Sequence, residues 1–331
     1  MKYIATTAII LALFVVMLGA YTRLTDAGLG CPDWPGCYGH LVLPSVDHDL
    51  VAAQRHYPDV PIESRKAWTE MAHRYAAGTL GVFIFAIGIS VWRGRCQGKL
   101  LPWILPLTLV LLVVFQAALG MWTVTLKLLP VVVMSHLLGG MLIFSILCYL
   151  RLELTPVVTH HHPRWRPWII LGIVIVFCQI ALGGWVSSNY AGVACVGFPA
   201  CNGTWFPDLH FSKGFNLLSP VGANYQGGVL DNNVRVTIQL IHRVGALIAA
   251  SYVLILSILL FCCVKDVALR RAAALAAILV VIQFALGIAN VVYLLPLSVA
   301  VLHNGVAALL LATLFMLHYL AKGGVAHARS Y

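Results

Sequence analysis

Residues 70–78 read Glu-Met-Ala-His-Arg-Tyr-Ala-Ala-Gly and place a carboxylate, an imidazole and a guanidinium where a polar segment passes into a long apolar one. On a helix, Glu70 and His73 share a face because they lie three residues apart. The chain repeats the pattern at residues 239–245 as Gln-Leu-Ile-His-Arg-Val-Gly, with glutamine in place of glutamate. One copy therefore has a titratable acid next to its histidine, and the other has a neutral amide.

The composition is that of an integral membrane protein. Of the 331 residues, 61% are hydrophobic and 10% are charged, whereas soluble domains have about 25% charged residues. We therefore predict an all-α integral membrane fold that contacts membrane lipid, with eight apolar runs of the length needed to span a bilayer, about 20 residues each. The predicted transmembrane helices are 3–22, 72–92, 102–123, 131–151, 167–187, 237–262, 271–292 and 298–320.

The net charge of +10 is explained by the sidedness of the basic residues, so no nucleic acid partner is predicted. The short turns after the second, fourth and sixth helices are basic, whereas the short turns on the other side contain only Lys127 or no basic residue. By the positive-inside rule, the basic turns and both termini are cytoplasmic. The long loops 23–69 and 188–236 then face the outer, periplasmic side of the plasma (inner) membrane.

The sequence is predicted to be a tandem duplication. Each unit contains four helices, an even number, so the two copies run in the same direction and are related by a parallel pseudo-two-fold axis along the membrane normal. The predicted domains are two four-helix bundles, residues 1–155 and 156–331. Residues 1–22 correspond to the fifth helix, so we expect them to be retained and not cleaved as a signal peptide. The matched pairs include Gly19 and Gly183, Cys31 and Cys195, Cys37 and Cys201, His73 and His242, Gln116 and Gln283, and His136 and His303.

Two pairs of cysteines lie in the outer loops, Cys31 with Cys37 and Cys195 with Cys201. The outer compartment is oxidising, so each pair is predicted to form a disulfide. Five residues separate the partners, whereas thioredoxin-like redox motifs have two. Two roles remain open, a structural staple on the loop and an exchanging redox pair.

Four histidines are candidate ligands because each lies within apolar sequence and has a counterpart in the other half: His73, His136, His242 and His303. A single such histidine would be expected to bond a neighbouring helix. Two matched pairs favour ligation, since ionisable groups within a membrane are costly and usually functional. Two histidines per half do not complete a tetrahedral zinc site, but they supply both axial positions of a haem iron.

Small residues surround the histidines, among them Gly139, Gly245 and Gly305, and either admit a flat macrocycle or allow close helix packing. Arg74 and Arg243 directly follow two of the histidines. They are candidate partners of haem propionates, and interfacial anchoring is the alternative.

Three stretches resemble the haem A synthase family. They are Gly-Ala-Tyr-Thr-Arg-Leu-Thr at 19–25, Gly-Leu-Gly-Cys-Pro-Asp-Trp-Pro-Gly-Cys at 28–37, and Glu-x-x-His-Arg at 70–74. The resemblance covers nearly the whole chain. It implies an oxidoreductase of haem biosynthesis and cytochrome oxidase assembly, which oxidises the C8 methyl of its substrate haem O to a formyl group through an alcohol. It also implies that one half holds the substrate haem and the other a permanent haem b for electron transfer.

The difference between Glu70 and Gln239 assigns these roles to the halves. The first half is predicted to hold haem O between His73 and His136. Glu70 is the predicted catalytic residue, which takes or relays a proton or stabilises positive charge that develops at the reacting carbon. The second half is predicted to hold haem b between His242 and His303. A helix-start carboxylate that only favours the helix dipole is the alternative for Glu70. Haem O synthase and an electron donor or acceptor are candidate partners, and the oligomeric state is left open.

Three other functions explain part of the pattern. A bis-histidine membrane cytochrome b that only carries electrons accounts for the four histidines but not for Glu70 opposite Gln239. A disulfide-generating oxidoreductase accounts for the cysteine pairs but not for the histidines. A transporter also uses intramembrane histidines, but no span is visibly broken in its middle.

Overall fold

The computed structural model describes residues 1–43, 47–58, 60–154 and 161–323. Within these ranges it is helical, and no strand occurs beyond two isolated β-bridges, one in each cysteine loop. The helices are α1 (Lys2–Leu24), α2 (Asp47–His56), α3 (Ser64–Cys96), α4 (Ile104–Thr125), α5 (Pro130–Glu153), α6 (Arg166–Ser188), α7 (Phe211–Gly214), α8 (Asn232–Cys263), α9 (Val267–Val292) and α10 (Leu297–Lys322).

Eight of the helices in the described residues are long and apolar enough to cross a membrane, namely all except α2 and α7. The all-α class and the number of spanning helices predicted from the sequence are thus confirmed. Large apolar side chains such as Ile10, Phe85 and Ile255 are exposed on the outside of these helices. Such a surface is stable against hydrocarbon, where helices satisfy their own backbone hydrogen bonds.

Two helices begin well before the predicted boundaries, α3 at Ser64 and α8 at Asn232. Hydropathy detects only the apolar part of a helix, so it missed the polar first turns. Glu70 is consequently the seventh residue of α3, and the first turn of that helix contains no acidic residue. The alternative reading of Glu70 as a carboxylate at a helix start is therefore wrong, because the dipole effect fades beyond the first turn.

Each half is a four-helix bundle with the helices arranged in a ring. In the first half α1 and α4 each pack against both α3 and α5, which places α3 and α5 at opposite corners. In the second half α6 and α9 pack in the same way against α8 and α10. The two bundles meet through α1 and α5 on one side and α6 and α10 on the other.

Residues at this junction contact their own counterparts in the other half. Arg23 Nη2 donates a hydrogen bond of 2.5 Å to the carbonyl of Ser187, 164 positions away. At the opposite end of the bundles, Tyr319 donates to the carbonyl of Leu152 over 3.2 Å, and these residues are 167 positions apart. Contacts between equivalent residues arise next to a two-fold axis, so the arrangement is consistent with the expected pseudo-symmetry. The predicted boundary between residues 155 and 156 lies outside the described residues.

Candidate functional site

His73 and His136 face each other across the core of the first bundle. They lie on the opposite-corner helices α3 and α5, and their ring centroids are 6.4 Å apart with an interplanar angle of 83°. Both Nδ1 atoms are buried and have no hydrogen-bond partner among the described residues. The two rings therefore form a pair of unengaged nitrogen donors inside the membrane-spanning part of the fold.

The separation of these rings fits a metal ion held between them. A centroid separation of 6.4 Å leaves space for one metal ion if a nitrogen of each ring points towards the other. No group of three or more His, Cys, Asp or Glu side chains suited to a metal ion occurs in the described part of the chain. Two opposed imidazoles without further protein ligands are a donor set that would hold a haem iron.

His242 and His303 lie at the corresponding places on α8 and α10, but glutamine amides contact their rings. Gln179 Nε2 lies 3.0 Å from His242 Nδ1. Gln283 Nε2 lies 3.1 Å from His303 Nε2. In the first half Gln116, the counterpart of Gln283, instead donates to the backbone carbonyl of its neighbouring histidine over 2.7 Å. The second pair of histidines thus has polar partners that the first pair lacks among the described residues.

A glycine on the neighbouring helix faces each of the four imidazoles. A Cβ atom added to Gly19 would come within 2.9 Å of His73 Cε1, and one added to Gly183 within 3.1 Å of His242 Cε1. The equivalent distances to Cε1 are 3.4 Å from Gly120 to His136 and 3.3 Å from Gly287 to His303. All four distances are at or below the usual limit of van der Waals contact, so a larger residue at these positions would displace the rings. The glycines therefore fix where the imidazoles lie.

Other small residues near the histidines are occupied by side chains. A Cβ at Gly139 would lie 2.6 Å from Gln116 Oε1, and a Cβ at Gly305 would lie 3.2 Å from Met17 Sδ. These two glycines accommodate a neighbouring helix, so close packing explains them better than contact with a macrocycle.

Glu70 connects α3 to the first cysteine loop. Its side chain is buried, with 5% of the residue exposed. One carboxylate oxygen accepts the Cys31 backbone N–H over 2.9 Å, and the other pairs with Arg74 Nη2 at 2.5 Å. The counterpart Gln239 is equally buried, and its Oε1 has no partner within the described residues. The carboxylate thus occupies a position one turn from His73 and is held from two sides.

Arg74 and Arg243 hold the cysteine loops against the bundles. Arg74 Nη1 donates to the carbonyl of Asp33 over 3.0 Å and also bonds the carbonyl of Gly36. Arg243 donates over 3.0 Å to the carbonyl of Gly197 and also bonds that of Cys195. Both guanidiniums are thus engaged by loop carbonyls, and their pairing with propionates stays a prediction.

The cysteine loops are closed by disulfides, Cys31–Cys37 and Cys195–Cys201, with Cα–Cα distances of 4.8 and 4.9 Å. All four cysteines are buried. The two loops also share a cis proline bond, at Trp34–Pro35 and Phe198–Pro199. The two loops therefore share the same arrangement of one disulfide and one cis proline.

Tyr38 is a buried residue of the first cysteine loop. It is 2% exposed, and its hydroxyl donates to the carbonyl of Pro61 over 3.1 Å. Burial raises the pKa of the phenol, and Glu63, Glu70 and Asp33 raise it further. The hydroxyl therefore stays protonated and keeps this hydrogen bond well above neutral pH.

Gln179 is the residue at the site that the sequence analysis did not single out. The available signal was a break in the repeat, because an intramembrane glutamine stands where the first half has Val15. A polar residue that interrupts an apolar duplicate is unexpected without a partner. Only the structure shows that the partner is His242.

The fold and site define a class of polytopic helical membrane protein that has a pair of histidines on opposite-corner helices in each of two four-helix bundles. Residues 2–315 match the model of a family described as cytochrome oxidase assembly protein (COX15-CtaA). The chain belongs to this family.

Several relatives in this family are named heme A synthase. The one from Shewanella oneidensis is 45% identical over 323 residues, which is 96% of each chain. The one from Allorhizobium ampelinum is 32% identical, over 92% of this chain and 85% of the relative. The one from Rhizorhabdus wittichii is 28% identical, over 92% and 89%. The similarity thus extends over most of the length of this chain and of each relative.

Proposed function

We propose that this protein is a haem A synthase, which oxidises the C8 methyl group of haem O to a formyl group through an alcohol intermediate. Family membership supports the broader statement that it is a membrane-bound oxidoreductase of haem A biosynthesis. The observation that carries the finer proposal is the asymmetric pair of sites. Each half has two histidines on opposite-corner helices, but only the first has a buried carboxylate one turn from one of them.

The first half is proposed to be the substrate site. His73 and His136, 6.4 Å apart, would hold the iron of haem O, and Gly19 would keep the His73 ring in place. With water as the oxygen source, oxidation of a methyl group to an alcohol, and then of the alcohol to an aldehyde, each releases two electrons and two protons. The electrons would pass to the proposed electron acceptor, and the protons need a separate acceptor near the reacting carbon. Glu70 is the only buried carboxylate among the side chains that the structure describes. It is therefore the proposed group that takes up or relays those protons.

The second half is proposed to hold a resident haem b through His242 and His303. Such a group supplies one-electron transfer when it is bound. Gln239 replaces the carboxylate there, and an amide can donate and accept hydrogen bonds but does not ionise. This half therefore retains the ligands but lacks a proton-transfer group.

The proposed orientation follows from the basic turns. The termini would be cytoplasmic and the disulfide loops periplasmic. An oxidising compartment maintains disulfides, which agrees with their presence in both loops. Haem O synthase as the supplier of substrate, together with an electron donor or acceptor, completes the proposed set of partners.

The proposal is tested by extracting pigments from cells that make haem O, with and without this protein. We expect haem A, accompanied by its alcohol precursor, only when the protein is present. Cys96→Ser is a suitable control, because Cys96 is an exposed free cysteine at the end of α3. If haem O stays unchanged although the purified protein has a b-type spectrum, the protein is a cytochrome electron carrier instead.

A further inference from the structure

The two halves differ in what contacts the Nδ1 atom of their first histidine. In the second half Gln179 on α6 reaches across to α8, where its Nε2 lies 3.0 Å from His242 Nδ1 and 2.9 Å from the His242 carbonyl oxygen. Its Oε1 is buried and unpartnered among the described residues. The amide therefore faces Nδ1 of His242, which is the ring nitrogen other than Nε2.

Gly245 is what allows the amide to occupy this position. A Cβ atom at residue 245 would overlap the Oε1 atom of Gln179 and approach Leu182 to 3.1 Å. Any side chain there would force the glutamine away from His242. Gln179 and Gly245 thus form one unit, in which the glycine provides the space and the glutamine fills it.

The first half lacks both members of this unit. By the offset of the repeat, Val15 stands where the second half has Gln179, and Ala76 stands where it has Gly245. His73 Nδ1 is accordingly buried without a hydrogen-bond partner in the described structure. A valine can neither donate nor accept a hydrogen bond, so the first imidazole is positioned by packing alone.

A partner on the second ring nitrogen changes how an imidazole binds a metal. A ligating histidine usually donates its other N–H to an acceptor, which fixes the tautomer and the ring orientation and raises the basicity of the ligand. In the geometry observed, the amide N–H faces Nδ1 and donates to the His242 carbonyl oxygen. The amide oxygen accepts from Nδ1–H once the terminal group turns over, which gives up the bond to that carbonyl. A haem site that must retain its haem benefits from such a partner, whereas a site that must release its product does not.

We propose that Gln179, with Gly245, is a positioning residue that makes the second half the retaining site. Val15 and Ala76 leave the first half an exchanging site. The inference rests on the proposed function, because it takes haem as the ligand of both histidine pairs.

The test uses the full-length purified protein loaded with haem and measures three properties. They are the rate at which haem b is lost to an acceptor protein, the midpoint potential, and the low-spin spectrum. The nearly isosteric Gln179→Leu is expected to lose haem b about 10–100-fold faster and to have a shifted potential. Gln179→Glu, whose carboxylate also accepts the imidazole N–H, is expected to restore retention and to lower the potential below that of the unmodified protein.

The reciprocal double variant Val15→Gln with Ala76→Gly keeps the second half intact. It is expected to slow the release of haem from the first half and to raise the amount of haem co-purified per chain. This gain keeps the inference testable even if Gln179→Leu proves unstable. Unchanged haem loss and potential in Gln179→Leu, or no added retention in a folded double variant, would overturn it.

The failure of the proposed function has a different signature. In that case the unmodified protein itself would bind no haem that depends on His242. A normal haem spectrum in the unmodified protein, combined with no effect of Gln179→Leu, would reject the inference and leave the proposed function standing.

Discussion

At the scale of single residues, the replacement of one carboxylate by an amide separates the two halves. Glu70 is buried and bonded both to the Cys31 backbone and to Arg74. A buried charge requires such partners, because its desolvation is otherwise costly. These bonds also give Glu70 a structural role in holding the first loop, so the catalytic proposal must be tested against it.

We expect Glu70→Gln to retain the b-type spectrum and haem O binding but to lower the rate of haem A formation by about 10²–10⁴-fold, the usual contribution of a general acid or base. The alcohol intermediate should accumulate if the second oxidation needs the carboxylate more than the first. Pigment analysis of cells with each variant measures this.

The matched control is Glu63→Gln, which removes a carboxylate that pairs with Lys66 at the protein surface. It should leave haem A formation unchanged. A normal haem A yield in Glu70→Gln would reduce Glu70 to an anchor of the first loop, and its structural role would then appear as altered reactivity of Cys31 and Cys37.

At the scale of elements, the two disulfide loops are held to their bundles by the same device. An arginine one residue after a histidine binds loop carbonyls, Arg74 in the first half and Arg243 in the second. The backbone also repeats, with left-handed residues at Tyr38 and at the corresponding Asn202. Loop and histidine are thus joined through one helix, and a displaced loop would disturb the histidine next to it.

Thiol labelling tests the disulfides and the orientation together. A membrane-impermeant maleimide added to the outer side should not label the loop cysteines before reduction and should label them afterwards. Loss of one disulfide, as in Cys31→Ser, should destabilise the loop by about 2–3 kcal/mol. Labelling of all four cysteines without reductant would contradict the disulfides, and labelling after reduction from the cytoplasmic side alone would contradict the orientation.

At the scale of the whole molecule, the fold consists of two similar bundles that meet through α1, α5, α6 and α10. The opposite-corner placement of the helices that carry the histidines puts each histidine pair within its own bundle. The two sites are therefore separable by mutation, although one continuous apolar core connects the bundles.

His242→Ala or His303→Ala should remove the low-spin b-type spectrum of the purified protein, because an axial ligand is lost. His73→Ala and His136→Ala should preserve that spectrum while preventing haem A formation. Absorption spectra of the four variants give the comparison. A spectrum that survives both changes in the second half would show that haem b is held elsewhere.

The sequence by itself determined the eight spanning helices, and it showed the repeated motifs and the four histidines that they contain. Hydropathy and repeat spacing are local properties of the chain, and the bilayer requires each span to satisfy its own backbone hydrogen bonds. The difference between the two halves at Glu70 and Gln239 was also visible when the two repeats of the chain were aligned with each other.

Only the tertiary structure decided what surrounds the histidines. It placed α3 and α5 at opposite corners so that His73 faces His136, directed Arg74 to the loop carbonyls, and brought Gln179 to His242. These contacts join residues that are 38–63 positions apart and depend on the rotation and spacing of packed helices. A periodic apolar pattern shows that a helix is buried but does not specify which neighbouring side chain it meets, so these contacts had to come from the packed fold.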